Sequence, residues 1–93
     1  MMDFEWDKMK ALVNTQKHNI SFAEATTVFS DPFELTIADP VHSLEEFRFI
    51  SIGLSKSDNL LVVSYTERHQ NKIRIISARK ATKREHKYYE HRD

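Results

Sequence analysis

The sequence predicts an α+β fold of order β-α-α-β-β-β-β-α, an antiparallel sheet packed by helices on one face. Two observations carry this. Apolar residues recur at helical spacing as far as Phe29 and then alternate from Glu34 to Arg79. Two Ser/Thr-x-x-Glu signatures, Ser21 to Glu24 and Thr82 to Glu85, mark helix starts on either side of that alternating stretch.

Phe4 to Trp6 is a short first strand, and Asp7 then offers its carboxylate to the first turn of a helix running to about His18. Trp6, Met9, Leu12 and Val13 share one side of that helix, the side expected in the core. Asn19 tolerates the left-handed conformation that closes helices. The second helix opens on a capping box, with the Ser21 hydroxyl taking an amide and Glu24 reaching back. Phe22, Ala25, Val28 and Phe29 form its apolar stripe, and Asp31-Pro32 ends it. Strands are expected over Glu34 to Ile37, Glu46 to Leu54, Leu60 to Glu67 and Lys72 to Arg79. The turns between them fall at Ala38-Asp39-Pro40, at 55–59 and at Arg68-His69-Gln70-Asn71. Thr82 caps a last helix through about Glu90.

Ninety-three residues, 40% of them hydrophobic and 30% charged, suit one folded domain over 1–93. With no cysteine, neither disulfides nor thiolate metal sites are available, and a reducing compartment is expected. The start, Met1-Met2-Asp3-Phe4-Glu5, lacks the pattern of a signal peptide, and no apolar run approaches the roughly 20 residues of a membrane span. A cytoplasmic chain is the expectation. Formal net charge is zero, yet residues 1–46 hold 9 acidic and 3 basic side chains while 47–93 hold 5 and 11. A basic second half suits a polyanion such as RNA; the plainer reading is two solvated faces that offset each other.

Arg79 ends a strand just before a helix N-terminus, a pairing suited to phosphate; the competing reading is an ion pair with a carboxylate such as Glu85. Arg74 stands an odd number of residues away and so faces the other side of the sheet, unless a bulge or twist re-aims one of them. Glu67-Arg68 is either a base beside a charge-stabilising cation or an exposed hairpin ion pair. Tyr88 and Tyr89 lie among Lys83, Arg84, Lys87 and Arg92 on the last helix. Lys17-His18 ends the first helix, where a histidine either contacts phosphate or steadies the helix C-terminus. His18, His42, His69, His86 and His91 show no metal spacing, and Gly53, the only glycine, excludes a glycine-rich phosphate loop. No metal and no cofactor are expected.

Taken together, several segments resemble the BrnT-type toxins. In the front half these are Phe4-Glu5-Trp6-Asp7, Asn14 with Lys17-His18, Ser21-Phe22 with Glu24-Ala25, Val28-Phe29 and Asp31-Pro32. In the back half they are Arg48-Phe49 with Ile52-Gly53, Thr66-Glu67-Arg68, and the run Arg74 to Thr82 leading to Glu85 and Tyr89-Glu90. The most specific element is Ser77-Ala78-Arg79; Asn19 and the Arg68 to Asn71 turn depart from the family by lacking glycine. The resemblance implies a fold like the RelE-type ribonuclease toxins and metal-independent RNA cleavage that inhibits growth. It also implies neutralisation by a BrnA-type antitoxin whose ribbon-helix-helix part binds operator DNA, within a hetero-oligomer. The catalytic candidates are Arg79 and Arg68 for charge and Glu67, His18 or Tyr89 for protons; Lys17, Arg74, Lys80, Lys83 and Arg84 are the candidate RNA contacts. A non-catalytic nucleic-acid-binding or regulatory module is the alternative.

Overall fold

The computed structural model describes residues 2–39 and 46–91; Pro40, His42 and Arg92 lie outside the described residues. The elements follow the expected order: β1 (Asp3–Glu5), α1 (Lys8–His18), α2 (Phe22–Thr26) continued by a 3-10 turn Thr27–Ser30, β2 (Leu35–Ala38), β3 (Arg48–Leu54), β4 (Leu60–Arg68), β5 (Lys72–Lys80) and α3 (Lys83–Glu90). The strands form one sheet in the order β1-β5-β4-β3-β2. From β2 to β5 every pairing is antiparallel, as hairpin connections require. β1 departs from the expected pattern and adds parallel to β5, with Phe4 beside Ile73. No hairpin constrains this pair, because residues 6–71 separate its members.

Helices cover both faces of the sheet rather than one. Leu61, Val63 and Tyr65 of β4 join Ile73, Ile75 and Ala78 of β5 in a core with Ile20, Phe22, Ala25 and Val28. The alternate residues Leu60 and Val62, with Ile52, form a second cluster that receives Ile50, Ala81 and Tyr89. The continuous apolar run Leu60-Leu61-Val62-Val63 is the reason, since a strand apolar at every position needs cover on both sides.

α1 turns the other way from its apolar stripe. Met9, Leu12 and Val13 are 67%, 54% and 51% exposed, and Trp6 sits half out with its ring edge-on to Phe22. The buried residue is Asn14. Its Nδ2 donates to the carbonyls of Ala78 at 2.8 Å and Ile20 at 3.0 Å, and its Oδ1 accepts from the Ala78 amide at 3.1 Å. β1 pairs only with Lys72 to Arg74, so Ala78 has no strand beyond it and its backbone groups would otherwise be orphaned. The need to satisfy them outweighs the modest gain from burying the stripe.

The caps fold locally as their chemistry dictates, with one exception. Asp7 accepts from the Met9 and Lys10 amides, Asn19 takes φ 57°, and the Thr82–Glu85 box closes in both directions. Ser21 accepts from the Glu24 amide, but Glu24 does not reach back. Its carboxylate accepts instead from Ser55 Oγ at 2.7 Å and Asn59 Nδ2 at 2.8 Å, tying α2 to the β3–β4 turn. These two donors are buried or half-buried and offer more than a solvated amide. Among the described residues, no helix is long and apolar enough to cross a membrane.

Replacing Asn14 with Leu keeps the volume but strands the Ala78 amide and carbonyl. A loss of about 2–4 kcal/mol is expected in denaturant unfolding; a change near zero would show that Asn14 does not anchor α1. Gly53 lies where a Cβ would meet Val28 Cγ1 at 2.6 Å. Gly53→Ala is therefore expected to lower the urea midpoint, by about 1–3 kcal/mol of stability.

Candidate active site

Cross-strand partners share a face of a sheet, so the register locates the polar side chains. β5 carries an irregularity: Ser64 pairs with Ser77 but Tyr65 pairs with Ile75, leaving Ile76 as an extra residue. The bulge reverses the parity of β5 between its two halves. Arg74, opposite Thr66, and Arg79, opposite Val62, consequently face the same side, the side on which α3 lies. The odd separation that assigned them to opposite faces is cancelled by one inserted residue. A row Arg48–Thr66–Arg74–Glu5 then runs straight across β3, β4, β5 and β1. Ser64 and Ser77 form part of the next row, and Arg68 lies beside Lys72 in the preceding one.

This arginine-bearing floor is wired by carboxylates. Glu5 Oε2 accepts from Arg74 Nη1 at 2.8 Å and stands 3.6 Å from Arg68 Nε, holding two guanidinium groups side by side. Arg48 lies 3.7 Å from Glu46. At the hairpin end, an open cleft of about 840 Å³ is lined by Glu5, Thr66, Glu67, Arg68, His69 and Lys72 among others. At the other end, Arg79 forms a two-bond fork to Glu85, Nη1–Oε1 2.8 Å and Nη2–Oε2 2.9 Å. Glu85 Oε1 also accepts from the Thr82 amide, so this carboxylate occupies the anion position at the start of α3.

The structure brings together Arg68, Arg74 and Arg79 on one face; Glu67 lines the cleft at the hairpin end but pairs across from Ile73, so its strand position belongs to the opposite, core-side face. Lys17 and His18 it does not. They line a separate groove between α1 and the Ile76–Ser77 stretch of β5, with none of the arginines in its lining. Tyr89 is engaged in packing, and its hydroxyl donates to Asp31 Oδ2 at 2.6 Å. Lys80 pairs across from Leu61 and so turns from the arginine face, while Lys83 and Arg84 are exposed on the first turn of α3.

A family model for the ribonuclease toxin BrnT of type II toxin-antitoxin systems matches residues 6–85. The chain belongs to this family. Its fold is similar to that in the 1.1 Å crystal structure of the Brucella abortus ribonuclease toxin BrnT, with a TM-score of 0.66 and 22% identity, covering 89% of this chain and 100% of that one. No curated protein sequence matches it. As a BrnT-family member it is a ribonuclease and the toxin half of a type II pair, whose other half is an antitoxin.

Within this BrnT-type fold, reasoning from residues alone passed over Arg48, Glu5 and His69. The parity of β3 carried a signal for Arg48, which shares the face of Ile50 and Ile52. Glu5 became legible only once β1 was known to lie beside β5. His69 had none, because turn residues follow no period.

The fork has a pH signature. The Arg79 guanidinium and the Thr82 amide hold Glu85 at about 2, down from 4.5. The folded state therefore resists protonation of Glu85; the stabilisation is complete above about pH 4.5 and is lost as the pH falls toward 2. With the Arg79 side chain 41% exposed, screening leaves an effect on the order of 1 kcal/mol. Glu85→Gln is expected to lose that amount at pH 7 and to flatten the acid limb of stability between pH 4.5 and 2, read by urea unfolding at several pH values.

Proposed function

We propose that this ribonuclease works without a metal on the arginine-bearing face, where the 2′-hydroxyl of RNA attacks the adjacent phosphate. The new O2′–P bond forms as the P–O5′ bond breaks, leaving a 2′,3′-cyclic phosphate and a 5′-hydroxyl. The observation that carries this reading is the parity reversal in β5, which gives one phosphodiester chain access to Arg68, Arg74 and Arg79, with Arg48 in the same row as Arg74. Arg74 and Arg79 stand about 13 Å apart along the strand, so neighbouring phosphates, rather than one, bridge them. Arg68 and Arg74, already held together by Glu5, stabilise the doubly charged oxygens of the pentacoordinate phosphorus. Glu67, whose strand position belongs to the opposite face, reaches the cleft only at its hairpin end, where it takes the 2′-hydroxyl proton and His69, in the same lining, returns one to the departing oxygen. Arg79 engages RNA when a phosphate displaces the Glu85 carboxylate, which the bidentate preference of guanidinium for either anion permits. Lys83 and Arg84 extend the path along α3.

The antitoxin is proposed to be of the BrnA type, doubled through a ribbon-helix-helix part so that the hetero-oligomer reads a palindromic operator. The reading places the toxin in the cytoplasm with its substrate.

Incubation of purified protein with RNA and excess chelator is expected to give 5′-hydroxyl ends at an undiminished rate. Arg74→Ala and Arg68→Ala, confirmed as folded by circular dichroism, are expected to lose about 100-fold or more. Abolition by the chelator, or a folded Arg74→Ala variant with full activity, refutes the mechanism. Salt-dependent binding with no new chain ends would identify a binding module instead.

A further inference from the structure

We propose that the outward face of α1 is the seat of the antitoxin, and that it receives an acidic amphipathic segment of that partner. The inference rests on the family reading that an antitoxin exists, and it adds where and by what chemistry the partner holds on. At 100° per residue, Met9, Leu12, Val13 and Gln16 share one side of α1. The first three are each more than half exposed. Lys8 flanks this stripe on one side and Lys10 and Lys17 on the other, and the helix itself contains no carboxylate. Beside the lysine pair runs a groove of about 290 Å³ whose apolar wall is Met9, Val13 and Ile76, the bulged residue of β5.

The chemistry selects among occupants. Three adjacent aliphatic side chains give nothing to phosphates and no ring for a base to stack on, so RNA gains little from the centre of this face. A second copy would set lysines against lysines. An amphipathic segment with apolar anchors in the stripe and carboxylates against Lys8, Lys10 and Lys17 satisfies every group at once. None of the floor's arginines belongs to the stripe or lines the groove beside it, so gripping the toxin and blocking its arginine face are tasks for different parts of the antitoxin. The route between them passes the β1–β5 edge.

The test uses the full-length toxin and the product of the small reading frame adjacent to its own, with the affinity of the pair measured by calorimetry and RNA cleavage measured on the free toxin. Leu12→Glu and, separately, Val13→Glu are expected to weaken the complex at least about 30-fold while leaving cleavage unchanged. Lys10→Glu is expected to weaken it and flatten its salt dependence. Wild-type affinity in both glutamate variants, with both folded, overturns the proposal. So does loss of a toxin dimer with antitoxin affinity intact, which would assign the face to a second copy, or loss of cleavage alone, which would assign it to RNA. A wild-type toxin that cleaves RNA but does not bind this product refutes the partnership itself rather than its location.

Discussion

The side chain of Asn14 is the constraint on which the arrangement of the molecule turns. β1 is too short to cover the edge of β5, and beyond Arg74 that edge must find its hydrogen bonds elsewhere. A carboxamide presents a donor and an acceptor at the spacing of a peptide group, so Asn14 substitutes for one residue of the missing strand. Its remaining donor hydrogen reaches the Ile20 carbonyl and fixes the turn between α1 and α2. With α1 clamped by its polar side, the apolar side is left facing outward. One satisfied peptide edge thereby sets both the path of the chain into the core and the character of the surface opposite.

What was legible in the residues was what depends on local chemistry. The boundaries of the helices followed from Asp7, Asn19, Ser21 and Thr82, and the alternation of β3 to β5 placed three hairpin-linked strands side by side. Relations between elements distant in sequence were not. Periodicity assigned Met9, Leu12 and Val13 to one side of α1, correctly, but says nothing of which side wins when a buried asparagine competes. The parallel position of β1 needed knowledge of which edge of the sheet was vacant.

The site was legible to a similar degree. Arg68, Arg74 and Arg79 were recognisable as cations on strands, whereas their common face depends on Ile76, a residue whose role as a bulge leaves no mark in composition or period. Glu85 illustrates the limit well. Its place three residues after Thr82 announces a capping box, and its pairing with Arg79 is the reading set against phosphate binding, which the structure bears out; the residues alone did not show that one carboxylate serves both at once, Oε1 taking the Thr82 amide as well as one bond of the fork. Carboxylates are thus threaded through the basic face, and positive charge there is organised rather than merely accumulated.

The pairing of β1 with β5 also bears on how the molecule comes into being. Asp3 lies beside Lys72 and Glu5 beside Arg74, so β1 waits for the much later β5 before it has a neighbour. Closing so long an intervening chain is slow relative to forming the hairpins β3–β4 and β4–β5. Emergence of β5 is the event that supplies a partner to β1, an edge to Asn14 and two of the floor's guanidinium groups together. A nascent or truncated chain that stops short of it holds a partial hydrophobic core but no continuous basic surface. The continuous basic surface of this molecule is therefore assembled only once β5 is in place.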